Sequence, residues 1–218
     1  MVRSAFLKEL QELENVVLEL GSRVEEAIGQ ASRSLVTQDP GLAREVIAGD
    51  DCLDALQLEI ENRCLNLLAL QQPLSRDLRF IGTALKVAID LERIGDHAAD
   101  IAQVAIRLSG EDYIKPLIDI PRMADLARGM LRDSLTAYVR QDTRLALSLA
   151  QADTLMDSLY NQVFRELLTY MTSDPATIPQ ATRLLLVAQH LERVADHVTN
   201  IGEGVIYMVD GQRTSLNP

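Results

Sequence analysis

The sequence contains no tryptophan, and aromatic residues make up only 4% of it. Strands draw on aromatic and β-branched residues, so this composition disfavours a sheet protein and favours helices. Long apolar runs are missing too, since stretches such as Leu184–Ala188 fall far short of the roughly 20 residues that a membrane-spanning helix needs. The start of the chain lacks the apolar centre of a secretory signal. We therefore expect a helical, cytoplasmic protein.

Basic residues are also scarce, with 21 Lys and Arg against 32 Asp and Glu and a formal net charge of −11. Such a surface repels the phosphates of nucleic acids and of anionic membranes, so neither is expected as a direct partner. The fractions of hydrophobic residues, 47%, and charged residues, 24%, are those of a folded globular protein. A length of 218 residues allows one large domain or two small ones.

Cysteine occurs only twice, at Cys52 and Cys64. Both lie in one predicted helix, where twelve residues span about 18 Å. A disulfide requires Cα atoms within about 7 Å, so a bond between the two is excluded. We expect two buried free thiols.

Prolines and apolar residues at three-and-four spacing divide the chain into helical segments. The predicted helices cover residues 4–38, 40–71, 75–109, 120–140, 142–172 and 177–208. A stretch broken by Gly110, Pro116 and Pro121 separates the third helix from the fourth. We assign residues 111–118 as a linker between domains.

An internal repeat crosses that linker. When Leu85–Ile101 is set against Leu185–Ile201, nine of the 17 pairs are identical, far more than chance gives. Upstream the offset becomes 103, which pairs 50 with 153 and 54 with 157. Each half therefore has three helices in the same order. The predicted fold is all-α, with tandem three-helix bundles at 1–110 and 119–210.

Each half carries two pairs of carboxylates at four-residue spacing, which places each pair on one helical face where like charges repel. One interpretation is a solvated acidic face. If the pairs instead converge from neighbouring helices, cations must neutralise them, and oxygen ligands suit hard ions such as Mg²⁺, Ca²⁺, Mn²⁺ and ferric iron. The candidate metal ligands are Asp50, Asp54, Glu92, Asp96, Asp153, Asp157, Glu192 and Asp196.

The three histidines allow two interpretations. His97 and His197 each follow the aspartate of the repeated motif, and adjacent helical residues point about 100° apart. They are therefore badly placed to share a metal with the carboxylates of that motif. One interpretation is a surface or inter-helix hydrogen-bonding role, and the other is ligation or contact with a partner. Ferritin-like di-iron sites need Glu-x-x-His, whereas aliphatic residues stand three positions before every histidine, namely Ile94, Val187 and Val194. A standard di-iron oxidase is not expected.

Three stretches resemble the PhoU family: QQPLSRDLR at 71–79, DLERIGDH at 90–97 and LERVADH at 191–197. The resemblance extends from about residue 5 to 209. It implies two three-helix bundles, dimerisation and multinuclear metal clusters held by paired E(D)-x-x-x-D motifs, which match the eight candidate positions. The second half departs from the first because it has no copy of the stretch Pro73–Arg79, so the halves are expected to serve different partners.

The resemblance implies a non-enzymatic regulator, and no nucleophile constellation or phosphate-binding glycine loop opposes this. The protein would link a phosphate ABC transporter, through its ATPase subunit, to a sensor histidine kinase. It would restrain phosphate uptake and the phosphate-starvation response, with iron, manganese, magnesium or zinc in its clusters. Two alternatives stay open, a protein that stores or oxidises iron and a metal-free helical adaptor.

Overall fold

A computed structural model describes residues 2–71 and 73–217, and it arranges them as six long helices. The predicted helices agree with these to within a few residues, and the described part contains no strand. The all-α fold class is therefore confirmed. None of the described helices carries an apolar stretch that could cross a bilayer. The helices are α1 (Val2–Thr37), α2 (Pro40–Gln71), α3 (Ser75–Leu108), α4 (Asp119–Arg140), α5 (Thr143–Ser173) and α6 (Ile178–Asp210).

The turn after the first helix has the same construction in both halves. Gln38 and Gln141 both take a left-handed backbone conformation with a φ of 53°. The aspartates that follow, Asp39 and Asp142, accept hydrogen bonds on their side chains from backbone N–H groups two and three residues further on. These carboxylates cap α2 and α5, whose first N–H groups have no partner inside the helix. The repeat therefore extends from helix patterning to turn chemistry.

Helices α1–α3 form one three-helix bundle and α4–α6 form the other, and the bundles meet along α3 and α6. The two helices run antiparallel, since Arg79 Nε donates to Met208 O at 3.1 Å while His97 Nδ1 lies 3.2 Å from His190 Nδ1. Equivalent segments thus face each other about a pseudo-two-fold axis. This arrangement is the one found at an isologous dimer interface, here within a single chain.

The hydrophobic core continues from one bundle into the other. Tyr138 of α4 is fully buried and stacks on Phe80 of α3, with ring centroids 5.6 Å apart. Because apolar packing does not stop between the halves, the domain limits 1–110 and 119–210 stay a prediction.

The connection between the bundles is packed against both of them. The Tyr113 hydroxyl donates to Leu35 O at 2.6 Å, and Ile114 N donates to Gln180 Oε1 at 2.6 Å. Lys115 is buried and pairs with Glu166 of α5. The segment 111–118 therefore holds the halves in one arrangement.

The prediction for the cysteines is half correct. Cys64 is buried, whereas Cys52 is exposed, and both are free thiols. The residue after Cys52, Leu53, belongs to the buried stripe of α2. Adjacent helical residues point about 100° apart, so Cys52 faces solvent.

We predict that Tyr138→Phe leaves the free energy of unfolding unchanged or raises it by up to about 1 kcal/mol. The Tyr138 hydroxyl has no hydrogen-bond partner among the described residues, while its ring stacks on Phe80. Tyr138→Ala, which also removes the ring, is expected to cost about 3–5 kcal/mol. Urea unfolding followed by circular dichroism measures both. A loss above about 1 kcal/mol in the Phe variant would show that the hydroxyl is satisfied.

Candidate metal centre

The first carboxylate cluster lies where α2 packs on α3. The close approach of the two helices occurs at Gly95, where a Cβ atom would stand 2.6 Å from Leu53 Cδ1 and 3.7 Å from Asp50 Oδ1. The absence of a side chain at Gly95 therefore brings the carboxylate pair of α2 beside the pair of α3. The members of the cluster are Asp50, Asp54, Glu92 and Asp96.

The second carboxylate cluster lies at the equivalent place between α5 and α6. Here the position of Gly95 carries Ala195, and the position of Leu53 carries Met156. The larger residue on α6 is thus matched by an unbranched, more adaptable one on α5. Asp153 is only 5% exposed. The members of this cluster are Asp153, Asp157, Glu192 and Asp196.

Charge repulsion within the first cluster is visible in its acid–base properties. Burial raises the pKa of Asp50, and the charges of Asp96 and Asp54 raise it further. Burial also raises the pKa of Glu92, with an added contribution from Asp96 that Arg93 partly offsets. The carboxylates of α2 and α3 are therefore close enough to repel one another across the helix contact.

The second cluster shows the same combination of burial and charge repulsion. Burial, followed by the charges of Asp157 and Asp196, raises the pKa of Asp153 to about 6. Burial is also the largest cause of the raised pKa of Glu192 and of Asp196. The structure thus brings together all four predicted residues in each half. Their role as metal ligands stays a prediction.

One aspartate of each cluster already accepts a hydrogen bond from another side chain, a charged one in the first cluster and a neutral one in the second. Arg93 Nη1 donates to Asp96 Oδ2 at 3.0 Å, and Asn217 Nδ2 donates to Asp196 Oδ1 at 2.6 Å. Among the described carboxylates of the two clusters, no three oxygens lie within 4.8 Å of one another. The oxygen donors suit hard cations.

All three histidines gather at the contact between α3 and α6. His97 Nδ1 lies 3.2 Å from His190 Nδ1, and His197 Nδ1 lies 2.9 Å from Asp90 Oδ1. His97 and His197 therefore make inter-helix contacts, as one of the two interpretations held. Burial, followed by the neighbouring histidines, lowers the pKa of His97 to about 4.

A groove of about 790 Å³ runs along this contact and joins His97 and His197 to members of both carboxylate clusters. Its lining includes Asp50 and Asp96 from the first cluster and Asp196 from the second. His97 and Asp100 line the groove between them. Ions or small molecules in the groove would therefore reach the carboxylates of both halves.

Sequence reasoning missed Asp90, Asp100 and Asn217 as members of this region. The first two had a detectable signal, because the repeat aligns Asp90 with His190 and Asp100 with Asn200. Such polar exchanges inside a repeated motif mark places where the halves differ in chemistry. Asn217 had no signal, because its contact depends on the chain folding back after α6.

Comparison with known proteins identifies the relatives of the chain. A family model described as the PhoU domain matches residues 17–105 and 120–205. The chain belongs to the PhoU family. The phosphate-specific transport system accessory protein PhoU homolog of Clostridium acetobutylicum is 40% identical to it over 218 residues, which is 100% of each chain.

Solved structures of the PhoU family have the same fold. The crystal structure of PhoU from Pseudomonas aeruginosa superposes with a TM-score of 0.91 at 36% identity, over 95% of this chain and 100% of that one. The phosphate transport system regulatory protein PhoU from Streptococcus pneumoniae gives a TM-score of 0.90 at 34% identity, over 96% and 99% of the two chains. Both of these structures thus share the tandem three-helix bundles.

In the metal-free protein, we predict that Asp153→Asn raises stability at pH 7.5 by about 1–2 kcal/mol. Because the pKa of Asp153 is raised to about 6, its protonated carboxyl contributes to the stability of the folded state. That contribution is complete below the ordinary pKa of 3.8 and is lost as the pH rises through about 6. The charges of Asp157 and Asp196 act on Asp153, and Glu192 interacts with Asp153 and with Arg193. Urea unfolding with a chelator present measures the effect.

The benefit of Asp153→Asn should shrink as the pH falls towards 4, because the wild-type carboxyl then becomes protonated and neutral. Asp133→Asn, at an exposed carboxylate of α4, serves as the control and should show no such trend. An Asp153→Asn variant that is less stable than wild type at pH 7.5 would contradict the repulsion.

Proposed function

We propose that the chain is an accessory protein of a phosphate transport system and that it restrains phosphate uptake and the phosphate-starvation response. The observation that carries this proposal is the match over the full length to a relative named as such an accessory protein. The structurally similar protein from Streptococcus pneumoniae is named a phosphate transport system regulatory protein, which supports the regulatory part. Restraint would apply when phosphate is plentiful.

The proposed mode of action is that of a non-enzymatic adaptor, in contact with the ATPase subunit of the transporter and with a sensor histidine kinase. Both partners consume ATP, so the encounter would take place in the cytoplasm. The outer helices support protein contacts, because α2 exposes Leu58 and Leu65 and α5 exposes Leu155 and Phe164. The charge of −11 would steer basic partner surfaces towards the chain. We propose a homodimer as the working assembly.

The eight clustered carboxylates are proposed to bind multinuclear metal centres. The support is electrostatic, because burial and neighbouring carboxylates raise the pKa of Asp50 and of Glu192, and Arg93 and Asn217 offset only part of the repulsion. Iron, manganese, magnesium and zinc are the candidate metals, and the all-oxygen donors favour the harder ions. The bound ions would fix α2 on α3 and α5 on α6, and would thereby set the shape of the outer surfaces.

Deleting the gene is predicted to raise expression of a phosphate-scavenging reporter in medium rich in phosphate. The wild-type gene on a plasmid should restore repression, and an empty plasmid is the control. A reporter that stays silent in the deletion strain, with the pathway otherwise intact, would contradict the regulatory proposal. Oxygen consumption by the purified protein on addition of ferrous iron would instead favour the iron-handling alternative.

Metal bound by the clustered carboxylates is expected to stabilise the native state. With metal at a hundredfold excess over Kd, the native state gains about 2.7 kcal/mol by mass action. Asp96→Asn should lose much of this gain, while its stability in chelator should equal or slightly exceed that of wild type because one repelling charge is gone. Melting curves with Mn²⁺ and with chelator, together with metal analysis of the purified protein, measure both effects.

Asp196→Asn should act on the second cluster alone, so the double variant is expected to show the sum of the two losses. Asp133→Asn, at an exposed aspartate of α4, is the matched control and should keep the full gain. If Mn²⁺, Fe³⁺, Mg²⁺ and Zn²⁺ all leave the melting temperature of wild type unchanged, the carboxylates form a metal-free surface of repelling charges. The interpretation as a metal-free adaptor is then correct.

A further inference from the structure

One group of potential metal ligands lies outside both carboxylate clusters, at the centre of the contact between the two bundles. His97 and Asp100 come from α3, and His190 comes from α6. Their ligand atoms all lie within 4.8 Å of one another, and within 2–71 and 73–217 no other set of three or more His, Cys, Asp or Glu side chains is as compact. Two imidazoles and one carboxylate form a donor set unlike that of the all-oxygen clusters.

Two of the three separations between these atoms are close to the edge of a coordination tetrahedron. Zinc binds imidazole nitrogen at about 2.0–2.1 Å and carboxylate oxygen at about 2.0–2.2 Å, so two ligands of one ion stand about 3.3–3.5 Å apart. The two Nδ1 atoms of His97 and His190 are 3.2 Å apart, and Asp100 Oδ2 is 3.7 Å from His190 Nδ1. Small side-chain rotations would bring three ligands to a single ion.

The pseudo-symmetric counterpart of this group has no such capacity. The position of His190 is taken by Asp90, and the position of Asp100 is taken by Asn200. There Asp90 Oδ1 lies 2.9 Å from His197 Nδ1 and accepts a hydrogen bond from Asn200 Nδ2 at 3.3 Å. The three side chains of the counterpart are therefore hydrogen-bonded to one another. In the first group Asp100 Oδ2 is too far from His190 to hydrogen-bond, and the two imidazoles share one contact between them.

The group is accessible from solvent. The side chain of His190 is 19% exposed and that of Asp100 is 46% exposed. Both His97 and Asp100 line the groove of about 790 Å³ that runs along α3 and α6. An ion could enter through this groove, and a fourth ligand could approach from it.

We propose that His97, Asp100 and His190 bind one Zn²⁺ or a divalent transition ion of similar preference, with the fourth position open to the groove. The choice of metal follows from the donors, because imidazole suits zinc and its transition-metal neighbours better than magnesium or calcium. The ion would join α3 of the first bundle to α6 of the second. This site does not depend on the regulatory function or on metal in the carboxylate clusters.

Tag-free, chelator-treated protein titrated with Co²⁺ tests the site, because four-coordinate Co²⁺ with nitrogen ligands absorbs visible light intensely and six-coordinate Co²⁺ on oxygens absorbs weakly. We expect wild type to develop the intense band with one equivalent of Co²⁺ and Zn²⁺ to bleach it. His190→Ala should abolish the band and weaken Zn²⁺ binding, measured against a chromophoric chelator, by more than about tenfold.

The matched control is His197→Ala, which removes the equivalent of His97 in the other half and should keep the band. Asp100→Asn, at a half-exposed residue, tests the same site without removing a side chain that packs between the bundles, and it should reduce both the band and Zn²⁺ affinity. Circular dichroism checks that each variant is folded. The proposal is overturned if wild type shows only weak absorption, if His190→Ala keeps the band, or if His197→Ala alone removes it.

Discussion

The antiparallel contact between α3 and α6 is the constraint on which the rest of the structure depends. It joins two three-helix bundles about a pseudo-two-fold axis and lets one hydrophobic core extend through both. The contact needs close backbone approach, and at Gly204 a Cβ atom would stand 3.3 Å from Thr83 Cγ2. Because the repeated motif lies in the middle of both helices, its histidines meet at the contact and its carboxylates point towards α2 and α5. The positions of the groove, the histidines and both clusters are therefore all determined by the packing of α3 on α6.

The two halves share an architecture but differ in chemistry. Around the axis, Asp90 on α3 takes the place that His190 holds on α6. Asp90 pairs with His197, whereas His190 contacts a second imidazole, that of His97. At the clusters, an arginine reaches Asp96 in the first half, whereas Asn217 from the end of the chain reaches Asp196 in the second. Duplication thus preserved the pairs of carboxylates while the groups around them diverged, which would allow each half to serve a different partner.

The sequence predicted the helices and the placement of each carboxylate pair on one helical face because both follow from local spacing. Apolar periodicity specifies a helix, and four-residue spacing places two carboxylates on one face. Contacts between distant segments were harder to predict. The contact between His97 and His190 depends on the direction and register in which α3 packs on α6. The geometry of a single helix determines neither. The contact of Asn217 with Asp196 could not be predicted for the same reason. The exposure of Cys52 instead follows from helical geometry, because its neighbour Leu53 lies in the buried stripe of α2.

The binding of metal by the eight carboxylates is measured most directly by crystallography with Mn²⁺, using anomalous difference maps at the manganese absorption edge. The expected result is anomalous density beside Asp50 and Glu92 in the first cluster and beside Asp153 and Glu192 in the second, with Arg93 and Asn217 displaced from their aspartates. Density absent from both clusters at saturating Mn²⁺, with the Arg93–Asp96 and Asn217–Asp196 contacts intact, would contradict it.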